Sequence, residues 1–289
     1  MNTSTWLIRR EFWENRAIWM IPAIFGALLI LGALFGQVSL PRLTTPEQMY
    51  EAAEAYQVIV GAMFYVVMSV YATWYLLDCL YADRRDRSIL FWKSLPISDA
   101  KTVLSKLLVA MVLVPLVYFA AADATALISA FILSIRARAS IGSALWQPEV
   151  WWQIQVLWVY CIVTTALWYL PIAGWLMLVS AWAKRAVMLW AVLPPLVAYI
   201  LERAIFGTHV IGHTLAVRLA GLPYVAFNGA KHGWTEGKGV VDNDGVPVTV
   251  WHLINPSGFF TSAETWIGAA VGIVLIVGAI QLRTRRTEV

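Results

Sequence analysis

The sequence predicts an all-α integral membrane protein with six transmembrane helices. Of its 289 residues, 60% are hydrophobic and only 13% are charged, and the mean hydropathy is +0.70. These values lie far from those of an average soluble domain. The 16 tryptophans add the aromatic anchors that membrane interfaces favour. We therefore expect a single transmembrane domain over residues 1–289, without a soluble domain large enough to fold alone.

The N-terminal residues 1–19 mix bulky aromatic side chains with charges, as at Trp6, Arg10 and Glu14. This composition is typical of an amphipathic helix that lies on the membrane surface. The first apolar run follows, from about Ala17 to Val38, and is long enough to cross roughly 30 Å of hydrocarbon. Acidic residues precede this run and a small-residue cleavage site is missing, so we expect a retained anchor rather than a cleaved signal peptide.

Five further apolar runs predict the remaining spans. They extend over about Tyr56–Leu80, Thr102–Ile135, Val156–Ala183, a run from just after Arg185 to about Ile205, and Ser262–Leu282. The third span is longer than one crossing needs and contains Pro115, so we expect it to tilt, kink or project. Residues 39–54 and 136–155 are predicted as polar loops outside the spans. Residues 207–261 are predicted as a long external or re-entrant segment before the last span.

Most Lys and Arg residues fall on one side of this topology. They are Arg9, Arg10, Arg16, Arg84, Arg85, Arg87, Lys93, Lys101, Lys106, Lys184, Arg185, Arg283, Arg285 and Arg286. Because cytoplasmic flanks collect basic residues, both termini are predicted to be cytoplasmic. The same placement at helix ends explains the net charge of +4, so we expect membrane lipid and no nucleic acid as a partner.

Several kinds of catalytic site have no matching motif. The phosphate-binding loop ending in Gly-Lys-Ser/Thr is missing, and the most similar string, Gly-Lys-Gly at residues 237–239, has no hydroxyl. Cys79 and Cys161 lie inside apolar runs, which excludes a disulfide framework or a metal cluster of the CxxC type. We therefore expect a chain that is not an enzyme and binds no cofactor, and any ATP-driven work must come from a partner chain.

Residues 81–98 form a charged and then apolar segment between the second and third spans. The five charged residues 83–87 cannot lie in hydrocarbon, so the segment must be outside the bilayer. The apolar residues 89–92 that follow would be costly to leave in water as an isolated patch. We predict a short helix over about residues 84–95, ended by Pro96, with Ser98 placed to cap the next helix.

Histidines suggest an alternative function. His209 and His213 are four residues apart, as in zinc proteases, but Val210 stands where that motif has its general-base Glu. His232 and His252 could complete a site only by folding back. An outward-facing membrane enzyme built from these residues, with Asp242 or Asp244, stays open as a second hypothesis beside ordinary interfacial histidines.

Two acids and several tryptophans lie within apolar sequence. Asp78 and Asp123 are interpreted as hydrated or hydrogen-bonded interfacial acids, with a proton relay as the alternative. Trp168, Trp175, Trp182 and Trp190 are interpreted as packing residues, with the first three as candidates to line a path for an amphipathic or aromatic substrate.

The segment 81–98 resembles the first cytoplasmic loop of ABC-2 type permeases. The strings that carry the resemblance are Asp83-Arg84-Arg85-Asp86-Arg87-Ser88, Ile89 to Trp92 and Leu95-Pro96-Ile97-Ser98. The amphipathic start, the six spans, the large outer segment and the basic C-terminal end extend the resemblance over nearly the whole chain. It implies the permease subunit of an ATP-binding cassette exporter in the inner membrane of a bacterium.

In that family the loop is a coupling helix that docks on a separate ATPase subunit, which holds ATP and Mg²⁺, and two permease chains form the pathway. The resemblance therefore implies ATPase docking by residues 84–95. The residues it implies are Arg84, Arg85, Asp86, Arg87, Ile89, Phe91, Trp92 and Lys93. Many relatives have Glu and Gly-Thr where this chain has Asp86 and residues 87–88, which implies a differently charged groove on the partner. A membrane sensor or immunity protein that uses the same helix only for recruitment is a third hypothesis.

Overall fold

A computed structural model describes residues 3–36, 45–86, 98–136, 148–228 and 250–285. These residues are helical and contain no β-strand, apart from one isolated bridge between Phe227 and Ile254. Six helical stretches are long and apolar enough to span a membrane, which confirms the number predicted. They are Ala17–Phe35, Ala52–Arg85, Asp99–Arg136, Pro148–Trp168, Val187–Phe206 and Ala263–Arg285.

The first two helices are α1 (Thr3–Glu14) and α2 (Ala17–Phe35). Helix α1 turns Trp13 outward and buries the side chains of Arg10 and Glu11. The polar side that the sequence assigns to the membrane surface thus packs inward, because α1 lies against the start of the third span.

Helix α3 (Pro46–Arg85) is 40 residues long, or about 60 Å at helical rise. It begins inside the stretch 39–54 that was predicted as a loop, so that prediction is wrong from Pro46 onward. Proline suits a first helical position because the N–H it lacks would have no intrahelical partner there. At its other end α3 includes Arg84 and Arg85, so a separate short helix does not begin at Arg84 as predicted. Residues 87–97 lie outside the described residues.

The third span consists of α4 (Asp99–Leu108), a π-helical turn (Val109–Leu113) and α5 (Val114–Arg136). The predicted cap is confirmed, since the Ser98 hydroxyl accepts a hydrogen bond from the Lys101 N–H at 3.3 Å. The π-turn lies just before Pro115. Because proline has no N–H, the regular α-helical ladder is interrupted at this point, which agrees with the predicted irregularity.

The fourth predicted span is divided into α6 (Pro148–Trp168) and α7 (Leu170–Trp182). The break at Tyr169 lies just before Pro171, whose ring cannot continue an α-helix from the preceding turn. Because α6 starts at Pro148, the second half of the predicted loop 136–155 is helical instead. Residues 183–186 then join α7 to α8 (Val187–Phe206) in the predicted tight turn, with Ala186 in the left-handed region at φ 50°.

The remaining helices are α9 (Val210–Ala220), α10 (Leu222–Ala226), α11 (Val250–Leu253), α12 (Pro256–Thr261) and α13 (Ala263–Arg285). The last span, α13, packs closely on α7. A Cβ at Gly272 would lie 2.7 Å from the backbone carbon of Leu170, and one at Gly174 would lie 2.8 Å from the Gly272 carbonyl oxygen. Glycine at both positions therefore allows the two backbones to approach.

Candidate functional site

A buried network of charged side chains lies at the end of the bundle where α3 ends and α4 begins. Its first centre is the Glu11 carboxylate on α1, whose side chain is 1% exposed. One oxygen contacts Arg10 at 2.7 Å and the Lys106 ammonium at 3.0 Å. The other accepts hydrogen bonds from the Tyr75 hydroxyl at 2.8 Å and the Asn15 amide at 3.2 Å. Glu11 thus joins α1 to both α3 and α4.

The second centre is Asp83 on α3, which is also buried. Its carboxylate lies 3.4 Å from the Lys106 ammonium and 2.9 Å from the Arg283 guanidinium. Arg283 continues to Asp99 at 3.1 Å. The network therefore connects α1, α3, α4 and α13, and its last link reaches the first residue of α4. We call the residues Glu11, Tyr75, Asp83, Asp99, Lys106 and Arg283 the ionic network.

Helical spacing places these groups together. Tyr75 and Asp83 are two turns apart on α3, and Asp99 and Lys106 are two turns apart on α4, so each pair shares one face. Arg283 lies in the last turn of α13, where the negative end of the helix dipole favours a cation. Each helix thus contributes its charge at the same level of the bundle.

The electrostatics of α1 follow from this packing. Burial by itself raises the pKa of Glu11, but the charge of Lys106, the hydrogen bond from Tyr75 and the charge of Arg10 outweigh it, so the pKa lies below its ordinary value. At the neighbouring Glu14, burial outweighs the charge of Arg10, so the pKa lies above its ordinary value. Glu11 is therefore a carboxylate held charged inside the protein by its partners.

A second set of contacts joins α3 to α7 at the same end. The Arg84 guanidinium donates to the carbonyl oxygens of Ser180 at 2.5 Å and Ala183 at 2.8 Å. These carbonyls lie at the C-terminus of α7, where a cation is favoured. The buried Ser180 hydroxyl in turn accepts from the backbone N–H groups of Leu80 at 3.1 Å and Tyr81 at 3.0 Å. Together with the ionic network, these contacts join five helices near the ends of α3 and α4 that flank residues 87–97. The five helices are α1, α3, α4, α7 and α13.

The residues implied in ATPase docking fall into three groups. Arg84 is half-buried and binds α7. Arg85 and Asp86 are exposed and pair with each other at 3.1 Å, and Arg85 also lies 3.8 Å from Asp78. The others lie outside the described residues. These are Arg87, Ile89, Phe91, Trp92 and Lys93.

The tryptophans considered for a substrate path lie in different surroundings. Trp168 is 0% exposed and packs with Phe259, while its indole N–H donates to the Arg218 carbonyl oxygen at 3.0 Å. Trp175 is half-buried and donates to the carbonyl oxygen of Ala191 at 2.9 Å. Trp182 is exposed. The Trp182 ring lies 4.7 Å from that of Trp190, so Trp175 and Trp182 both contact α8. A substrate path along the three tryptophans stays a prediction.

Two histidines of the alternative hypothesis, His209 and His213, can be placed, whereas His232, Asp242 and Asp244 lie outside the described residues. His209 precedes α9 and lies 3.1 Å from the Arg203 guanidinium, and His213 is exposed. Among the described residues, no three His, Cys, Asp or Glu side chains are grouped closely enough to hold a metal ion. The nearby carboxylate of Glu202 instead accepts from the N–H groups of Val210 at 2.7 Å and Ile211 at 2.8 Å, at the start of α9.

The two acids in apolar sequence are both engaged. Asp78 is the exposed partner of Arg85. Asp123 accepts hydrogen bonds from the Gln155 amide at 2.9 Å and from the indole N–H of Trp158 at 2.9 Å. The hydrogen-bonded interpretation thus matches the geometry of Asp123.

Sequence reasoning missed the ionic network. Asp83 was assigned to the loop and Lys106 was counted as a basic flank, although both are buried. A signal was present: Tyr75, Cys79 and Asp83 recur at helical spacing on one face of a long apolar run. Pairing that face with the acid of an adjacent amphipathic helix, however, requires the arrangement of the helices.

Comparison with known proteins gives no relative for this chain: no family model, no curated protein and no solved structure matches it. What the chain does must therefore be inferred from its own residues and geometry.

Proposed function

We propose that this chain is the permease subunit of an ATP-driven exporter, moved by a separate ATPase that docks on residues 84–95. The observation that carries the proposal is the ionic network at the ends of residues 87–97. A transport subunit without its own nucleotide site needs a segment on which a partner can act, and it needs that segment to be firmly joined to its spanning helices. The network supports the second requirement, because it joins the ends of α3 and α4 that flank residues 87–97.

The mechanical argument rests on which helices are joined. Asp83 and Lys106 link α3 to α4, the helices on either side of residues 87–97. Glu11 adds α1 and Arg283 adds α13. Removing one member of these buried pairs would take away a partner of a charge that cannot reach water, and the loss of a buried pair typically costs about 3–5 kcal/mol. A displacement of the docking segment would therefore move these helices together rather than bend their ends.

The proposed partner is a cytosolic ATPase that binds ATP and Mg²⁺. The exposed Arg85 and Asp86 would orient it, and the apolar Ile89, Phe91 and Trp92 would supply the buried anchors. Two copies of the chain, or one copy and a homologue, would enclose the substrate path. In this proposal the chain lies in a bacterial inner membrane with both termini in the cytoplasm.

The test is association with a candidate ATPase, one that has a phosphate-binding loop and no membrane spans, and the ATP turnover of the complex. The double variant Ile89→Asp and Trp92→Asp places two charges on the proposed anchors and should abolish association. Arg85→Glu should weaken it through the exposed charge. Arg203→Glu is the matched control, because Arg203 is also an exposed arginine but lies on the predicted outer side.

Unchanged association and turnover in the double variant would refute docking at this segment. An equal loss for Arg85→Glu and Arg203→Glu would show that the charge effect is not local, and would also contradict the proposal.

A further inference from the structure

Asp123 is an acid within the third span that the ionic network does not use. About 20 Å of helix separates it from Arg136, the last residue of α5. On its own helix, Ala120 and Leu127 are exposed, whereas Phe119 and Ala126 are buried. Asp123 thus lies at the boundary between the packed face of α5 and the face turned toward lipid.

The surroundings orient this carboxylate without neutralising it. One oxygen accepts from the Gln155 amide and the other from the Trp158 indole, both at 2.9 Å. Neither donor carries a positive charge. In the part of the chain that the structure describes, no Lys, Arg or His side chain forms an ion pair with Asp123. Ionisable groups within membrane-spanning segments are rare and costly, and they mark ion or substrate sites.

Aromatic packing makes the site rigid. The Trp158 ring stacks on Phe119 with 4.5 Å between centroids and 6° between planes. On its other side the ring lies against Gly61, where a Cβ would be 1.8 Å away. Because Trp158 is fixed on both sides, the carboxylate it binds is fixed as well.

A second acceptor lies on the facing helix. Gln57 is one turn before Gly61 on α3, and it is 3% exposed. Its side-chain oxygen has no hydrogen-bond partner among the described residues. A buried acceptor without a donor is unfavourable, so this oxygen needs a donor that the described residues do not supply.

We propose that Asp123 binds the charged group of a lipid-soluble organic cation that reaches it sideways from the membrane. The carboxylate supplies the charge, the buried Phe119–Trp158 stack holds it in place, and the exposed Ala120 and Leu127 on α5 supply the apolar edge that faces lipid. That such a cation is the exported cargo rests on the proposed function, whereas the binding site itself does not.

The decisive variant is Asp123→Asn. Asparagine retains an oxygen that accepts from Trp158, and its amide NH2 donates to the Gln155 side-chain oxygen after the Gln155 amide flips, so it removes the charge and keeps the cross-link between α5 and α6. Asp78→Asn is the matched control, because it removes the other acid of the apolar runs at the opposite end of the bundle.

The experiment measures equilibrium binding of tetraphenylphosphonium and of tetraphenylborate, its anion of the same shape, to the full chain in lipid nanodiscs without any ATPase. The wild-type chain and Asp78→Asn should bind the cation and discriminate against the anion. Asp123→Asn should bind the cation at least about tenfold more weakly, because it loses a direct charge–charge contact at low dielectric.

Equal cation binding by wild type and Asp123→Asn, or equal affinity of the wild type for cation and anion, would overturn the proposal. Thermal unfolding of each variant, recorded alongside, must match the wild type for a loss of binding to count in its favour. Should Asp123→Asn unfold early, Asp123→Glu takes its place, and the proposal then requires retained cation selectivity. Since no ATPase is present, a failure here is distinct from a failure of the docking test.

Discussion

Lys106→Met tests whether the ionic network holds the helix ends together. The Lys106 ammonium contacts Glu11 at 3.0 Å and Asp83 at 3.4 Å, and its side chain is 4% exposed. Methionine fills a similar volume without the charge. After the substitution, the Glu11 and Asp83 carboxylates would both lie beside an uncharged side chain, although Glu11 would still contact Arg10 and Asp83 would still contact Arg283.

The expected cost follows from burial. Removing one partner of a buried ion pair costs about 3–5 kcal/mol, because the remaining charge cannot reach water. An exposed pair contributes only about 0–1 kcal/mol. Arg85→Met is therefore the matched control: Arg85 ends α3, at the same end of the bundle, and pairs with Asp86 at 3.1 Å, but its side chain is 53% exposed.

The assay is unfolding of the purified chain by SDS in mixed micelles, followed by loss of helical circular dichroism. Lys106→Met should lower the free energy of unfolding several times more than Arg85→Met. The double variant Lys106→Met with Glu11→Gln should cost less than the sum of the single variants, with a coupling of about 0.5–3 kcal/mol. A cost for Lys106→Met no larger than that for Arg85→Met, or strict additivity in the double variant, would refute a buried and coupled network.

Two further predictions concern packing and pH. Gly61→Ala should lower the free energy of unfolding by about 1–3 kcal/mol, because the new Cβ would lie 1.8 Å from the Trp158 ring. Glu11 has a pKa below the ordinary 4.5, so its stabilising contribution is present above that pH and is lost as the pH falls through the folded value. Glu11→Gln should therefore flatten the loss of stability on acidification. The pKa of Glu14 is raised above the ordinary 4.5, so its stabilising contribution is present below that pH and is lost as the pH rises through the folded value. Glu14→Gln should remove this loss.

The same unfolding assay checks both predictions, at neutral pH for the glycine and across an acid titration for the two glutamates. Gly32→Ala is the packing control, because nothing lies within 4 Å of its would-be Cβ, and it should change stability by less than about 1 kcal/mol. Equal costs at Gly61 and Gly32 would contradict the close packing of α3 on α6. Identical acid profiles for the two glutamate variants would contradict the opposite directions of their pKa values.

The parts of the fold that the sequence predicted correctly depend on interactions within one segment of the chain. Lipid offers the backbone no hydrogen bonds, so an apolar run of sufficient length must be helical, and six such runs are readable from hydropathy. The cap at Ser98 and the irregularity before Pro115 are equally local, since each depends on one side chain and its own turn. The predictions that failed, at residues 46–54 and 148–155, concern polar helix ends that project beyond the apolar run and leave no trace in hydropathy.

The surroundings of the charged residues in the candidate site, in contrast, could not be predicted from one segment of the chain. Asp83, Arg84 and Arg85 are consecutive and look alike in the sequence, as one charged cluster. In the structure the first is buried against Lys106 and Arg283, the second binds the end of α7, and the third is exposed. Successive residues of a helix point about 100° apart, so three neighbours meet three different surroundings.

The sequence by itself thus determined that the chain has six helices long and apolar enough to span a membrane, because hydrophobicity and backbone hydrogen bonding act within each segment. Only the tertiary structure decided which charges are buried and joined, because that depends on which faces of α1, α3, α4 and α13 meet. Glu11 and Arg283 lie near opposite ends of the chain, yet both bind partners on the two helices that flank residues 87–97. No local pattern connects them, since the packing of the helices alone brings their charges together.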